Sequence, residues 1–163
     1  MAVRSQQIQI RVTPREKATL KRLARRAGQN LSSYVLSRAV PPHQATFDQI
    51  LRLLRKDENR RVALAELNDF LARLASIELE EALQYADLRE LSPLAQNYVA
   101  AMVEQAARQK GFEPPSWTRE VVALDEPFFA TPLRGLRPYL LRVAPVAFKR
   151  RNIFVDATVG DRV

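Results

Sequence analysis

The spacing of apolar residues in the first forty positions predicts one strand followed by two helices. Residues 5–12 alternate with a period of two, as in a β-strand with one apolar and one polar face. The apolar face comprises Ile8, Ile10 and Val12, and the polar face comprises Gln7, Gln9 and Arg11. Helical spacing follows directly, with an apolar stripe at Leu20, Leu23, Ala24 and Ala27.

Capping signals give the bounds of the two helices. Thr13 can cap the first helix, and Glu16, three residues later, completes a capping box. Gly28 stands where a helix ends in the left-handed conformation. Asn30 is a favourable cap for the second helix, which two consecutive prolines stop after residue 40.

The rest of the chain predicts a helical domain and then a segment rich in proline and aromatic residues. Apolar stripes at helical spacing run from about residue 44 to 111, and the strongest helix opens at Ser92 and ends at Gly111. In the last fifty residues prolines recur too often for long elements. We expect short helices at 134–142 and 145–151, and a strand or extended tail at 153–155. The aromatic side chains of this segment must be buried against the helical domain or a partner.

The predicted fold class is therefore mostly α. Residues 1–40 are expected to form a unit of one strand and two helices, and residues 41–46 a linker that contains His43. Residues 47–163 are expected to form a helical partner-binding domain with an irregular C-terminal tail.

Charge separates the first forty residues from the others. The chain has 26 Lys and Arg against 18 Asp and Glu, a net charge of +8. Residues 1–40 hold nine of the basic residues and only one acidic residue, Glu16, so the whole excess lies there. A local basic field beside a strand with outward polar residues is typical of a nucleic-acid reader.

One strand and two short helices cannot bury enough apolar surface to fold alone. We therefore expect a dimer in which the N-terminal strands of two chains pair antiparallel, covered on one side by helices. A two-stranded ribbon fits the major groove of B-DNA, where Gln can bond adenine and Arg can bond guanine.

This arrangement resembles the ribbon-helix-helix repressors and antitoxins of the MetJ/Arc/CopG type. The resemblance rests on Gln7–Val12, the helix that follows, Gly28, and the run Asn30–Val35. It implies that the outward strand residues Gln7, Gln9 and Arg11 read operator bases. It also implies that the start of the second helix, at Asn30, Leu31 and Ser32, holds a phosphate. Arg4 and the basic residues of the first helix would add phosphate attraction.

The residue inventory argues against catalysis and against a bound metal or cofactor. The chain has no cysteine and one histidine, and its four glycines are too far apart for a phosphate loop. No nucleophile stands in an elbow motif. From this inventory we expect a protein that is not an enzyme. Neither a membrane span nor a secretory signal is apparent, so we expect it in the cytoplasm.

Two later segments carry opposite charge. Residues 57–90 hold nine acidic and four basic residues, while residues 134–163 hold seven basic and two acidic ones. One interpretation is that these segments pack together; the other is that the basic one engages an acidic or RNA-like partner.

A small DNA reader joined to a larger region is typical of antitoxins. Residues 137–141 and 151–156 also resemble, loosely, the ends of antitoxins encoded beside nucleotidyltransferase-like toxins. The resemblance implies a type II antitoxin that represses its own operon and binds a toxin through residues 47–163. The alternative is a transcription regulator whose C-terminal domain senses a small molecule or drives oligomerisation.

Overall fold

The computed structural model describes residues 9–39 and 42–156, which are mostly helical, so the predicted fold class is confirmed. The chain divides into two compact units, unit 1 at residues 1–40 and unit 2 at residues 41–163.

The described residues of unit 1 form two helices, α1 (Pro14–Arg26) and α2 (Leu31–Ala39), which pack against each other. The predicted capping box is present, since Thr13 Oγ1 accepts from the Glu16 N–H at 3.3 Å and Glu16 Oε2 accepts from the Thr13 N–H at 2.8 Å. Gly28 has a φ of +64°, a conformation that costs glycine little. Asn30 Oδ1 accepts from the Ser33 N–H at 2.8 Å, which caps α2 as expected.

The predicted strand at 5–12 lies partly outside the described residues. Residues 9–13 carry no regular secondary structure in the single chain. A β-strand requires a hydrogen-bonded neighbour, and the neighbour expected here belongs to a second copy. The strand therefore stays a prediction about the dimer.

Unit 2 begins with a helical layer. Helix α3 (Pro42–Leu54) is followed by a short 3₁₀ turn (Asp57–Asn59), α4 (Arg60–Arg73) and α5 (Ser76–Ala82). The linker expected at 41–46 is wrong, because α3 starts at Pro42 and His43 lies in its first turn. Two consecutive prolines do not require a linker, because Pro suits the first position of a helix as well as the residue after the preceding helix.

The long helix α6 (Pro93–Lys110) forms the centre of unit 2. Ser92 caps its start, and Gly111 closes it with a φ of +76°, both as predicted. Helices α4, α5 and two later helices, α7 (Trp117–Glu120) and α9 (Val146–Lys149), contact it. Most of its residues from Ala95 to Ala107 are buried, as expected of a helix surrounded by others.

The proline-rich segment packs onto this helical core. It contains β1 (Phe128–Phe129), a 3₁₀ turn (Arg134–Leu136), α8 (Arg137–Val143), α9 and β2 (Ile153–Phe154). The short helices expected at 134–142 and 145–151 are thus present, and 153–154 is a strand. It pairs parallel with β1, with Phe128 opposite Ile153.

Aromatic contacts attach this segment to α6 and α3. The Tyr98 ring meets the rings of Phe128 and Phe148 edge-on, with centroids 5.8 and 6.0 Å away. Trp117 donates from Nε1 to the Leu83 carbonyl at 2.8 Å, and its ring lies 6.4 Å from that of Phe47. Trp117 and Phe148 are buried against the helical domain and Phe128 is half-buried, one of the two expected outcomes, whereas Tyr139 is 43 % exposed.

Basic side chains near the C-terminus form ion pairs with Glu104 of α6. Arg151, with a 7 % exposed side chain, donates to Glu104 at 3.0 Å and to the Thr118 carbonyl at 2.7 Å. Arg150 and Arg108 donate to the same carboxylate at 2.7 and 3.1 Å. The interpretation that 134–163 cancels the acidic charge of 57–90 therefore fails for Arg150 and Arg151, whose partner lies outside that segment.

Candidate nucleic-acid interface

The predicted base-reading residues Gln9 and Arg11 lie immediately before α1, and both side chains are exposed. Gln7 and Arg4, predicted to contact a base and a phosphate, lie outside the described residues. Thr13 and its capping box fix the point at which this segment joins α1. Gln9 and Arg11 therefore precede the first turn of α1 by a fixed number of residues.

The apolar residues that alternate with Gln9 and Arg11 are also uncovered. Ile10 is 65 % exposed and Val12 41 %. They line an open groove in unit 1 together with Leu20, Leu31, Tyr34 and Val35, and with the basic residues Lys17 and Arg38. The period-two pattern predicted Ile10 and Val12 as apolar positions and the helical spacing predicted Leu20, but nothing in the pattern placed the basic residues Lys17 and Arg38 at a groove.

The core of unit 1 is very small. Among the side chains described in residues 9–39, only Ala24 and Tyr34 are buried. Arg38 lies over the Tyr34 ring at 5.6 Å and covers part of it. So little burial does not offset the entropy of ordering the unit. A second chain on the groove would supply the missing burial.

The start of α2 has the geometry of an anion site. In the first turn of a helix the N–H groups have no partner within the helix and carry partial positive charge. The Asn30 side chain already caps the Ser33 N–H, which leaves the backbone N–H groups of Leu31 and Ser32 without a partner inside the helix. Leu31 is half-buried and Ser32 is exposed. The phosphate role predicted for Asn30, Leu31 and Ser32 is compatible with this geometry and stays a prediction.

The basic residues of α1 surround the same unit. All six of them are exposed: Arg15, Lys17, Lys21, Arg22, Arg25 and Arg26. The last two also lie in the final turn of α1, where positive charge stabilises a helix. They create a positive field rather than individually positioned contacts.

Residues 2–76 match the model of the NikA-like family, described as mobilization protein NikA. NikA is a ribbon-helix-helix DNA-binding protein. The match, over slightly less than half of the chain, is consistent with an N-terminal ribbon-helix-helix unit. It covers unit 1 together with α3, α4 and the first residue of α5. No curated protein and no solved structure matches the chain.

The comparisons contain no evidence for a toxin–antitoxin role or for a toxin partner. In the part of the chain that the structure describes, no group of three His, Cys, Asp or Glu residues is arranged to hold a metal ion. Within the same residues, no helix has the length and apolar character needed to cross a membrane.

Proposed function

We propose that two copies of this chain pair through residues 5–12 and place Gln7, Gln9 and Arg11 of both strands in the major groove of DNA. The observation that carries the proposal is the combination in unit 1 of exposed Gln9 and Arg11 with uncovered Ile10 and Val12. One side of the segment offers polar groups that suit base edges, and the other an apolar surface that needs a partner.

We further propose that this binding serves DNA mobilization, in a cytoplasmic location. Support comes from the match of residues 2–76 to a family described as a mobilization protein. Repression of the protein's own operon is compatible with the same DNA contacts. An antitoxin role is the second candidate. It is favoured by the size of unit 2 and requires a toxin that binds residues 47–163.

The decisive test for base reading compares Arg11→Ala with Arg22→Ala. Both side chains are exposed arginines in unit 1, so the two variants lose the same charge. We expect Arg11→Ala to weaken binding to the specific site by about 1–3 kcal/mol per contact while binding to random DNA changes little. Arg22→Ala should weaken both kinds of DNA alike and reduce the salt dependence.

The measurement is fluorescence anisotropy with fragments that flank the gene, at several salt concentrations. Light scattering of each variant checks that the dimer persists. Equal discrimination by wild type and Arg11→Ala would contradict base reading, and a monomer at micromolar concentration would contradict the ribbon.

Cellular assays separate the biological roles. The gene is first deleted from its replicon, and either the wild type or Arg11→Ala is then supplied. We expect transfer of the replicon to recover only with the wild type. A promoter reporter tests autorepression in the same strains. A stable complex with the product of the adjacent gene that suppresses its toxicity would instead favour the antitoxin.

A further inference from the structure

The segment around α8 is exposed to an unusual degree for its composition. Between residues 132 and 142 only Leu140 is buried. Large apolar side chains are among the exposed ones, with Leu133 at 62 % and Leu141 at 48 %. We call residues 132–142 the α8 segment. Soluble surfaces rarely display several large apolar residues together unless they bind something.

The α8 segment is also uniformly basic. Residues 127–155 contain six Lys and Arg residues and no acidic residue. Arg150 and Arg151 are held by Glu104, but no carboxylate in the described part of the chain pairs with Arg134, Arg137 or Arg142. The Arg137 guanidinium lies over the Phe129 ring at 4.7 Å, which fixes its direction. An acidic, partly apolar surface is the complement of such a segment.

Unit 2 displays a surface of that kind at α5. Ile77 is 73 % exposed and lines a shallow groove with Glu80, Glu81 and Gln84. Tyr85, 70 % exposed, follows directly in the chain. Within the described residues neither Glu80 nor Glu81 forms an ion pair. We call Ile77, Glu80, Glu81, Gln84 and Tyr85 the α5 surface.

We propose that the α8 segment of one copy docks on the α5 surface of a second copy of this chain. The two surfaces are opposite in charge, and each carries exposed apolar side chains at its centre or edge, as protein interfaces do. A phosphate backbone would neutralise Arg134 and Arg142 but would leave Leu133, Leu136 and Leu141 without a partner. A second copy satisfies both the charge and the apolar surface.

In the proposed arrangement the contact is head-to-tail, so each pair of copies leaves one α5 surface and one α8 segment open for further copies. Copies that already pair through unit 1 would be joined into larger assemblies. Neighbouring dimers on DNA would then bind cooperatively, because the first bound dimer raises the local concentration of the next. The docking itself does not depend on DNA binding.

Charge reversal in the full chain tests the proposal. One variant is Arg134→Glu with Arg142→Glu, and the other is Glu80→Lys with Glu81→Lys. These side chains are exposed, so the fold should be retained, which circular dichroism checks. The control is Arg52→Glu with Arg61→Glu, which makes the same charge change as the α8 reversal on exposed positions of α3 and α4.

Sedimentation velocity without DNA should show assemblies larger than a dimer for the wild type and the control as concentration rises. Each reversal should raise the dissociation constant between dimers by about 10-fold or more. Mixing the two reversals should restore association, because the reversed α8 segment then meets the reversed α5 surface and the two unchanged surfaces meet each other. High salt should weaken the wild-type assembly.

The proposal is overturned if the wild type stays dimeric at all concentrations, or if the control dissociates as much as the reversals. It is also overturned if the mixture fails to reassociate while both variants are folded. A loss of DNA affinity in the α8 reversal, with self-association unchanged, would identify the segment as a phosphate contact instead.

Discussion

The two units of this chain solve the problem of burial in opposite ways. Unit 1 buries two of the side chains described in it, Ala24 and Tyr34, and leaves Ile10 and Val12 in solvent. Unit 2 surrounds α6 with helices and aromatic side chains, and most of the residues of α6 are buried. Apolar burial is the main favourable contribution to folding, so unit 2 has its own source of stability and unit 1 depends on a second chain. The unit that requires a partner also carries the predicted DNA contacts.

The largest loss of stability in unit 2 is expected at Phe47, whose fully buried ring stacks on Phe70 with centroids 6.1 Å apart. We expect Phe47→Ala to lower the free energy of unfolding of unit 2 by about 3–5 kcal/mol, because it removes a ring and leaves a cavity. Urea unfolding followed by Trp117 fluorescence measures this, since Trp117 is the only tryptophan and lies in unit 2.

Val62→Ala is the matched control, because Val62 is an apolar residue on α4 that is 62 % exposed. It should change the free energy of unfolding by less than about 0.5 kcal/mol. Equal effects of the two substitutions would mean that unit 2 lacks the packed core described above.

A smaller loss is expected from Glu104→Gln. Burial lowers the pKa of Arg151, and the Glu104 carboxylate opposes this by favouring the charged guanidinium. The Nε of Arg151 is buried without a hydrogen-bond partner in the described part of the chain, so the Arg151 side chain depends on its remaining contacts. Removing the carboxylate charge should cost about 3 kcal/mol, because a buried cation is left without its counter-charge.

The same fluorescence measurement applies, with Arg108→Gln as control. The Arg108 side chain is 44 % exposed, so the loss of its ion pair should cost less than about 1 kcal/mol. A Glu104→Gln effect no larger than this control would show that Arg151 is stabilised by other contacts, such as the Thr118 carbonyl.

The sequence was most informative where the determinant is local. Thr13, Asn30 and Ser92 act on backbone groups within three residues of themselves, and each caps its helix as predicted. Gly28 and Gly111 have the positive φ that their positions implied. The period-two pattern around Gln9 and Arg11 is just as local, but the strand that it indicates stays a prediction, because it requires a neighbouring strand.

Long-range features were not visible. Glu104 lies in a mostly apolar helix and its partners Arg150 and Arg151 are more than forty residues away, so no spacing rule connects them. Strand β1 consists of two residues after a proline and exists only because β2 returns beside it. The false linker at 41–46 arose because the same prolines suit both a helix stop and a helix start.

The weakest effect that distinguishes the units concerns the cap of α1. The pKa of Glu16 lies below its ordinary 4.5, mainly because its carboxylate accepts from the Thr13 backbone N–H and then from the Thr13 hydroxyl. A lowered folded pKa stabilises unit 1 above the unfolded pKa, and this contribution is lost as pH falls through the folded value. Glu16→Gln should therefore destabilise unit 1 at neutral pH and progressively less at acidic pH.

The measurement is the part of the far-ultraviolet circular dichroism transition that Trp117 fluorescence does not follow, recorded from neutral to acidic pH at constant protein concentration. Asn30→Ala is the matched control, because Asn30 caps α2 with an uncharged amide. It should cost about 1 kcal/mol at every pH. A Glu16→Gln difference that stays constant down to acidic pH would assign the cap to hydrogen bonding that is independent of the carboxylate charge. In that case the local caps that stabilise unit 1 would be the hydrogen bonds made by Thr13 and Asn30, without a contribution from the Glu16 charge.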